Sequence, residues 1–282
     1  MRYQISHTTT YTYSQPVVLQ PHLLRLRPRC DGDQSLEQFQ VQVTPPPAGT
    51  TEILDPEGNA IARHWWYETP TQHLTYHVQS QVSTYCMNPF NFLLEAWATK
   101  IPIDYPTSVL AGLQPYLAEA IGIDPVAYQL AQEIAQAVDE NPIMFLSELT
   151  QQIYKACQYQ IRETGSPLPP CMTWTQKAGS CRDLAVLFMA ACRAVGLAAR
   201  FVSGYQEGDL DAQDRHLHAW AEVYLPGAGW RGYDPTQGLV VSDRHIPLVA
   251  TAWPSNAAPV SGLIRGKNAT STMNYQLLIQ AI

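Results

Sequence analysis

Near residue 90 the spacing of apolar residues changes from two to about 3.6, which demands strands in one part of the chain and helices in another. Before that point Tyr3-Gln4-Ile5-Ser6-His7-Thr8-Thr9-Thr10-Tyr11-Thr12-Tyr13 alternates and is rich in aromatic and β-branched residues. Residues 23–27, 39–43 and 74–79 keep the period of two. Breakers separate them: Pro28, the run Pro45-Pro46-Pro47, and the turn sequence Asp55-Pro56-Glu57-Gly58-Asn59. After that point residues 92–97, 126–138 and 142–159 have helical spacing, the last with Phe145, Leu146, Leu149, Ile153 and Cys157 on one stripe. Strands return at 199–205, 218–225, 229–234 and 274–279. The pattern predicts an α+β chain with an N-terminal antiparallel β-sandwich. The division expected is a β-rich domain over 1–95, a core over 96–250, and an extension over 251–282 whose final strand packs back on the fold.

The chain has 282 residues, enough for about two domains. Hydrophobic residues at 46% and charged residues at 15% exclude a disordered chain. A net charge of −7 argues against nucleic acid as a partner, since phosphate binding needs the opposite sign. No apolar run approaches the ~20 residues a membrane helix requires, so no membrane partner is expected. Arg2 is followed by no apolar stretch of the kind that marks an export signal, so the expected location is cytoplasmic. Thiols stay reduced there, and Cys30, Cys86, Cys157, Cys171, Cys181 and Cys192 are expected to be unpaired. They include no Cys-x-x-Cys pair, so neither a metal nor a cofactor is expected.

Gly179-Ser180-Cys181-Arg182-Asp183 opens a helix: Ser180 is a good N-cap, and Asp183 places negative charge in the first turn. Gly196 ends that helix. A cysteine at a helix N-terminus is biased towards thiolate by the backbone N–H groups. Taken alone, Cys181 fits a small core residue as well as a nucleophile. Its company favours the second: His218 opens a strand, and Asp234 closes the next one just before Pro235. A nucleophilic thiol needs a base, and the base needs a third group to set its tautomer. The hairpin between the two strands sets a condition. Side chains alternate faces, so a loop of four residues puts Asp234 and His218 on opposite faces. A loop of three residues, 226–228, sets Asp234 opposite Trp220, one diagonal step from His218.

These blocks, Gly179-Ser180-Cys181-Arg182-Asp183, residues 218–230 from His218-Ala219-Trp220, and Gly232-Tyr233-Asp234-Pro235-Thr236, resemble the bacterial transglutaminase-like proteins. Tyr3-Gln4-Ile5-Ser6-His7-Thr8-Thr9 and Leu26-Arg27-Pro28-Arg29 resemble their β-rich N-terminal region, and Asp243-Arg244-His245-Ile246-Pro247 the segment after their core. Leu217 and Gln237 depart from the usual pattern. The resemblance implies a papain-like core, with the cysteine-bearing helix packed on an antiparallel sheet. It implies Cys181 as nucleophile, His218 as general base and acid, and Asp234 as orienting carboxylate. The expected reaction is acyl transfer on peptide or carboxamide bonds of a peptide or protein substrate. Hydrolysis leads; transamidation of glutamine and a non-catalytic binding scaffold are the alternatives. The backbone N–H of Cys181 is the first candidate oxyanion donor, with Gln176, Trp174 and Trp220 as further candidates for the oxyanion or substrate. The segment 206–215, with Glu207, Asp209, Asp211 and Asp214, is either an acidic lid or a solvated loop. Trp65, Trp66 and Trp97 either line a binding surface or pack in the core.

Overall fold

The structure, a computed structural model, describes residues 1–118, 124–162, 164–208 and 216–282. Its N-terminal half is organised by one long strand, β1 (Arg2–Leu24), in which Tyr3, Ile5, His7 and Thr9 are buried at alternate positions. After it come β2 (Gln34–Thr44), β3 (Gly49–Leu54), β4 (Ala60–Trp65) and β5 (Pro70–Thr84). These lie in the order β2-β5-β1-β4-β3, with every pairing antiparallel. Along β1 the register shifts between Thr12 and Val17, and β5 partners its first half while β4 partners its end. Such irregularities bend a strand, and here they curl the sheet. Where a sandwich was expected, the N-terminal region forms one curled antiparallel hydrogen-bonded sheet organised by β1.

The helical part begins later than the sequence suggests. Residues 92–97 contribute only to a short 3-10 turn, Ala96–Ala98. The first helix is α1 (Thr107–Leu117). Next come α2 (Pro125–Ala137) and α3 (Pro142–Ala156), each with proline at its first position. Asp124 caps α2 by accepting from Val126 N and Ala127 N, and Asn141 caps α3 by accepting from Ile143 N and Met144 N. The stripe expected to run to 159 leaves the helix at Cys157, because Gln158 and Tyr159 form a short strand, β6. Then follow α4 (Pro170–Gln176), β7 (Ala178–Gly179) and α5 (Cys181–Ala194). β6 pairs in parallel with β7, which brings Tyr159 beside Gly179, two residues before Cys181.

Beyond α5 the chain forms β8 (Ala199–Gln206), β9 (His218–Leu225), β10 (Gly229–Asp234), β11 (Leu239–Val240) and β12 (His245–Thr251). They make a five-stranded antiparallel sheet in the order β11-β10-β9-β8-β12. Leu184, Ala185, Leu187, Phe188, Ala191 and Cys192 of α5 are buried, and the Phe188 ring stacks on Tyr233 at 5.7 Å. Gly196, with φ at 76°, ends the helix as expected. The chain closes with β13 (Val260–Arg265) and β14 (Ser271–Ala281), which both return to β1. β14 pairs with β1 from Tyr3 to Tyr13. Among the described residues no helix is long and apolar enough to cross a membrane.

Candidate active site

The site lies at one end of the five-stranded sheet, where β9 and β12 begin and β10 stops. His218 opposes Gly204 at that end, and His245 opposes Gln206 of the same strand β8. On the other side of β9, Leu225 pairs with Gly229 and Tyr233 with Ala221. The connecting loop is thus residues 226–228, the three-residue case, and the next step of the ladder sets Asp234 against Trp220. Gly227 has φ at 88°, a conformation that glycine adopts without a Cβ penalty, and this permits the tight turn.

That register delivers the side chains to each other. His218 Nε2 lies 2.7 Å from Asp234 Oδ2, with the carboxylate fully buried. The Cys181 side chain lies close enough to His218 to act on its charge, and both residues face the same cavity. With Nε2 engaged by Asp234, Nδ1 is the ring nitrogen left for a second partner. Burial alone would lower the pKa of His218. The Asp234 charge and hydrogen bond, with the Cys181 contacts, outweigh it and push His218 up to about 10. Burial would raise the Asp234 carboxyl, yet the His218 charge and the bonds from His218 and His245 hold it well below the usual range. Oδ1 of Asp234 accepts from Thr236 N at 2.9 Å and from Gln237 N at 3.2 Å. Pro235 has no N–H, so the turn after β10 offers the next two amides instead.

Cys181 is placed by a buried cap. Ser180 N and Ser180 Oγ both donate to Asp183 Oδ2, at 2.7 and 2.8 Å. The other oxygen of Asp183 accepts from Leu168 N at 2.7 Å and from Arg162. Asp183 is therefore a hub that ties the helix start to segment 162–168, a role its sequence position hinted at only as a dipole partner. As the first helical residue, Cys181 has a backbone N–H with no acceptor inside the helix.

Cys181 and His218, each 8% exposed, line a cavity of about 570 Å³. One wall is the N-terminal sheet, through His7, Thr9 and Tyr11 of β1 and Met273 and Tyr275 of β14. Leu217, one of the departures from the family pattern, lines the cavity too. So does Tyr159, which no pattern in the sequence singled out. Burial, then the charges of Cys181 and Asp234, push the Tyr159 phenol up to about 12, so it remains a donor at neutral pH.

Other candidates fall elsewhere. Trp220 is fully buried, packed with Val202 and Ala250, and lines no part of the cavity. The reason is the strand period, which turns it to the same face as His218 but one step deeper under the sheet. Its ring lies 6.2 Å from the His218 ring and 5.1 Å from that of His245. Gln176 and Trp174 sit on α4 outside the cavity lining, Gln176 exposed and Trp174 under the Lys177 ammonium. Glu207 is buried, accepting from Tyr3 Oη at 3.2 Å, so it belongs to a sheet contact and not to a lid. Asp209, Asp211 and Asp214 lie outside the described residues. Trp65, Trp66 and Trp97 do not line the cavity; Trp66 Nε1 donates to Pro45 O at 2.9 Å. All six cysteines are free.

One residue at the site was not anticipated: His245 Nε2 lies 3.1 Å from Asp234 Oδ2. Among the described residues, His218, Asp234 and His245 bring ligand-type atoms within 4.8 Å of one another. Their mutual hydrogen bonds already account for this approach.

Two family descriptions match the chain: the bacterial transglutaminase-like N-terminal region over residues 3–83, and the transglutaminase-like superfamily over residues 128–235. The chain's fold is similar to that of a candidate cysteine protease from Cytophaga hutchinsonii. The two share a TM-score of 0.73 and 23% identity, covering 100% of this chain and 91% of that one. An uncharacterised protein of Mycobacterium tuberculosis is 28% identical over 98% of this chain and 91% of its own length. A protein-glutamine gamma-glutamyltransferase of Pseudomonas aeruginosa is 30% identical over 40% of this chain and 18% of its own. The matches thus give the chain a transglutaminase-like core in a fold shared with the Cytophaga hutchinsonii protein.

Proposed function

We propose that the chain is an acyl-transfer enzyme in which Cys181 is the nucleophile, His218 the general base and acid, and Asp234 the carboxylate that orients His218. One observation carries the reading: His218, bonded to the buried Asp234 carboxylate, lines one cavity together with Cys181. His218 is the base placed to take the proton of the thiol. The sulfur attacks the carbonyl carbon of a peptide or carboxamide, and the oxygen takes up the negative charge. The Cys181 N–H and the Tyr159 hydroxyl are the donors offered to that oxyanion. As the tetrahedral intermediate collapses, the carbon–nitrogen bond breaks and His218 gives its proton to the departing amine. A thioester on Cys181 remains. His218, now neutral, takes a proton from the incoming water or amine, and the thiolate is released.

Water as the acceptor gives hydrolysis, the leading reading. Transamidation is the second, supported by the gamma-glutamyltransferase relative that matches the core. The substrate proposed is a peptide or protein, held against the wall formed by Tyr11, Met273 and Tyr275. A peptide library incubated with and without a primary amine, followed by mass spectrometry, tests both. Shortened peptides indicate hydrolysis, and an amine adduct on glutamine indicates transamidation. Cys181→Ala is expected to lower either product more than about 1000-fold, in line with loss of a nucleophile from a triad. Product formation undiminished in that variant would overturn the reading.

A further inference from the structure

Asp234 Oδ2 accepts from two histidines, and only one of them faces Cys181. The second, His245, is 3% exposed and opens β12, a strand that the hairpin carrying His218 and Asp234 does not touch. Its Nε2 reaches the carboxylate at 3.1 Å, while its Nδ1 is buried with no hydrogen-bond partner among the described residues. The tautomer follows. A buried N–H without an acceptor is costlier than a buried lone pair without a donor, so Nδ1 carries the lone pair and Nε2 the proton. Burial, set against the Asp234 contacts and reinforced by the nearby His218 charge, keeps the His245 pKa below the ordinary value. His245 is then neutral and donates one fixed hydrogen bond. The Trp220 ring, edge-on to it at 5.1 Å with planes at 76°, holds the imidazole in that orientation.

We propose that His245 is a positioning residue for acyl transfer: a neutral Nε2–H donor that fixes the Asp234 carboxylate so that its Oδ2 meets His218 Nε2 in line. This inference rests on the acyl-transfer reading above. With Oδ1 held by Thr236 N and Gln237 N, the His245 bond leaves Oδ2 one direction in which to accept from His218. Without that bond, Oδ2 is free to accept elsewhere, and the carboxylate turns about its Cβ–Cγ bond. A histidine here also adds no second positive charge beside the His218 imidazolium, which an arginine or lysine would.

The test reads Cys181 directly and needs no knowledge of the substrate. The rate of Cys181 carbamidomethylation by iodoacetamide at pH 6 is measured by mass spectrometry in the full chain, for wild type, His245→Gln and His245→Leu. Glutamine carries an N–H to nearly the same place as Nε2; leucine keeps the bulk and loses the donor. Wild type is expected to react at least tenfold faster than free thiol, His245→Gln to stay within about threefold of it, and His245→Leu to fall about tenfold or more. If His245→Leu does not fold by circular dichroism, His245→Asn replaces it, since its amide stops short of Asp234. Wild-type speed in the donor-less variant would overturn the positioning role alone, as would a His245→Gln protein as slow as that variant. A wild type no faster than free thiol would overturn the acyl-transfer reading, and this inference with it.

Discussion

Asp183 shows how much one side chain decides at the site. Its carboxylate is fully buried yet accepts four hydrogen bonds, two from Ser180 and one each from Leu168 and Arg162. Burial alone would raise its pKa, but those bonds hold it below the usual carboxylate range. The sign of the pH effect follows: a carboxyl lowered in the folded state contributes stability that is present above its unfolded pKa and lost as pH falls through the folded one. Asp183→Asn is expected to cost about 3 kcal/mol at pH 7, since the amide cannot accept all four donors. The difference from wild type should narrow as pH falls below about 4, where unfolded aspartate is protonated. Urea unfolding at pH 7, 5 and 3 measures it, and a gap that stays constant with pH would contradict the assignment. Tyr159 and His245 are the residue-scale lessons in the opposite sense. Neither was assigned a role from its sequence context, and each is brought to the site by pairing between strands separated in the chain.

At the scale of elements, the β9–β10 hairpin is the unit that assembles the site. A period of two makes its loop length a binary switch: three residues put Asp234 within reach of His218, and four put it on the other face. Inserting one glycine after Gly227 is expected to leave the helices intact by circular dichroism. Cys181 alkylation at pH 6 should meanwhile fall at least 30-fold. An insertion variant of wild-type reactivity would mean that a bulge restores the register. The loop is also anchored from outside, because a Cβ on Gly227 would lie 2.3 Å from the Leu93 carbonyl oxygen. That contact explains why residues 92–95 do not extend into a helix despite their apolar spacing. Glu95 N bonds Pro226 O at 3.1 Å, so the backbone there serves the hairpin instead.

Across the whole molecule, the N-terminal sheet is docked on the core through buried polar contacts as well as apolar ones. His7 Nδ1 lies 2.9 Å from Tyr205 Oη of β8, and His7 Nε2 lies 3.0 Å from Thr9 Oγ1. Burial lowers the His7 pKa to about 4. A histidine lowered on folding penalises protonation, so its stability contribution is complete above the unfolded value of about 6.5 and declines as pH falls towards 4. At pH 5 the loss is about 2 kcal/mol. His7→Gln should flatten the dependence of Tm on pH between 7 and 5, and an unchanged slope would place the acid sensitivity elsewhere. Much of this architecture was legible in the residues. The alternation of 3–13, the cap at Ser180 and Asp183, and the order Cys181, His218, Asp234 are local patterns whose physics acts within a few residues. The odd hairpin loop could be stated as a condition, because the pleat makes it one. Tertiary structure alone decided the rest. Whether one sheet curls or two stack depends on which strands pair with each half of β1, and those partners include a strand more than 250 residues away in sequence. Trp220 and Glu207 went inward, and Tyr159 and His245 came to the cavity and to Asp234, because burial and strand pairing are set by the whole packed fold and leave no period in the chain.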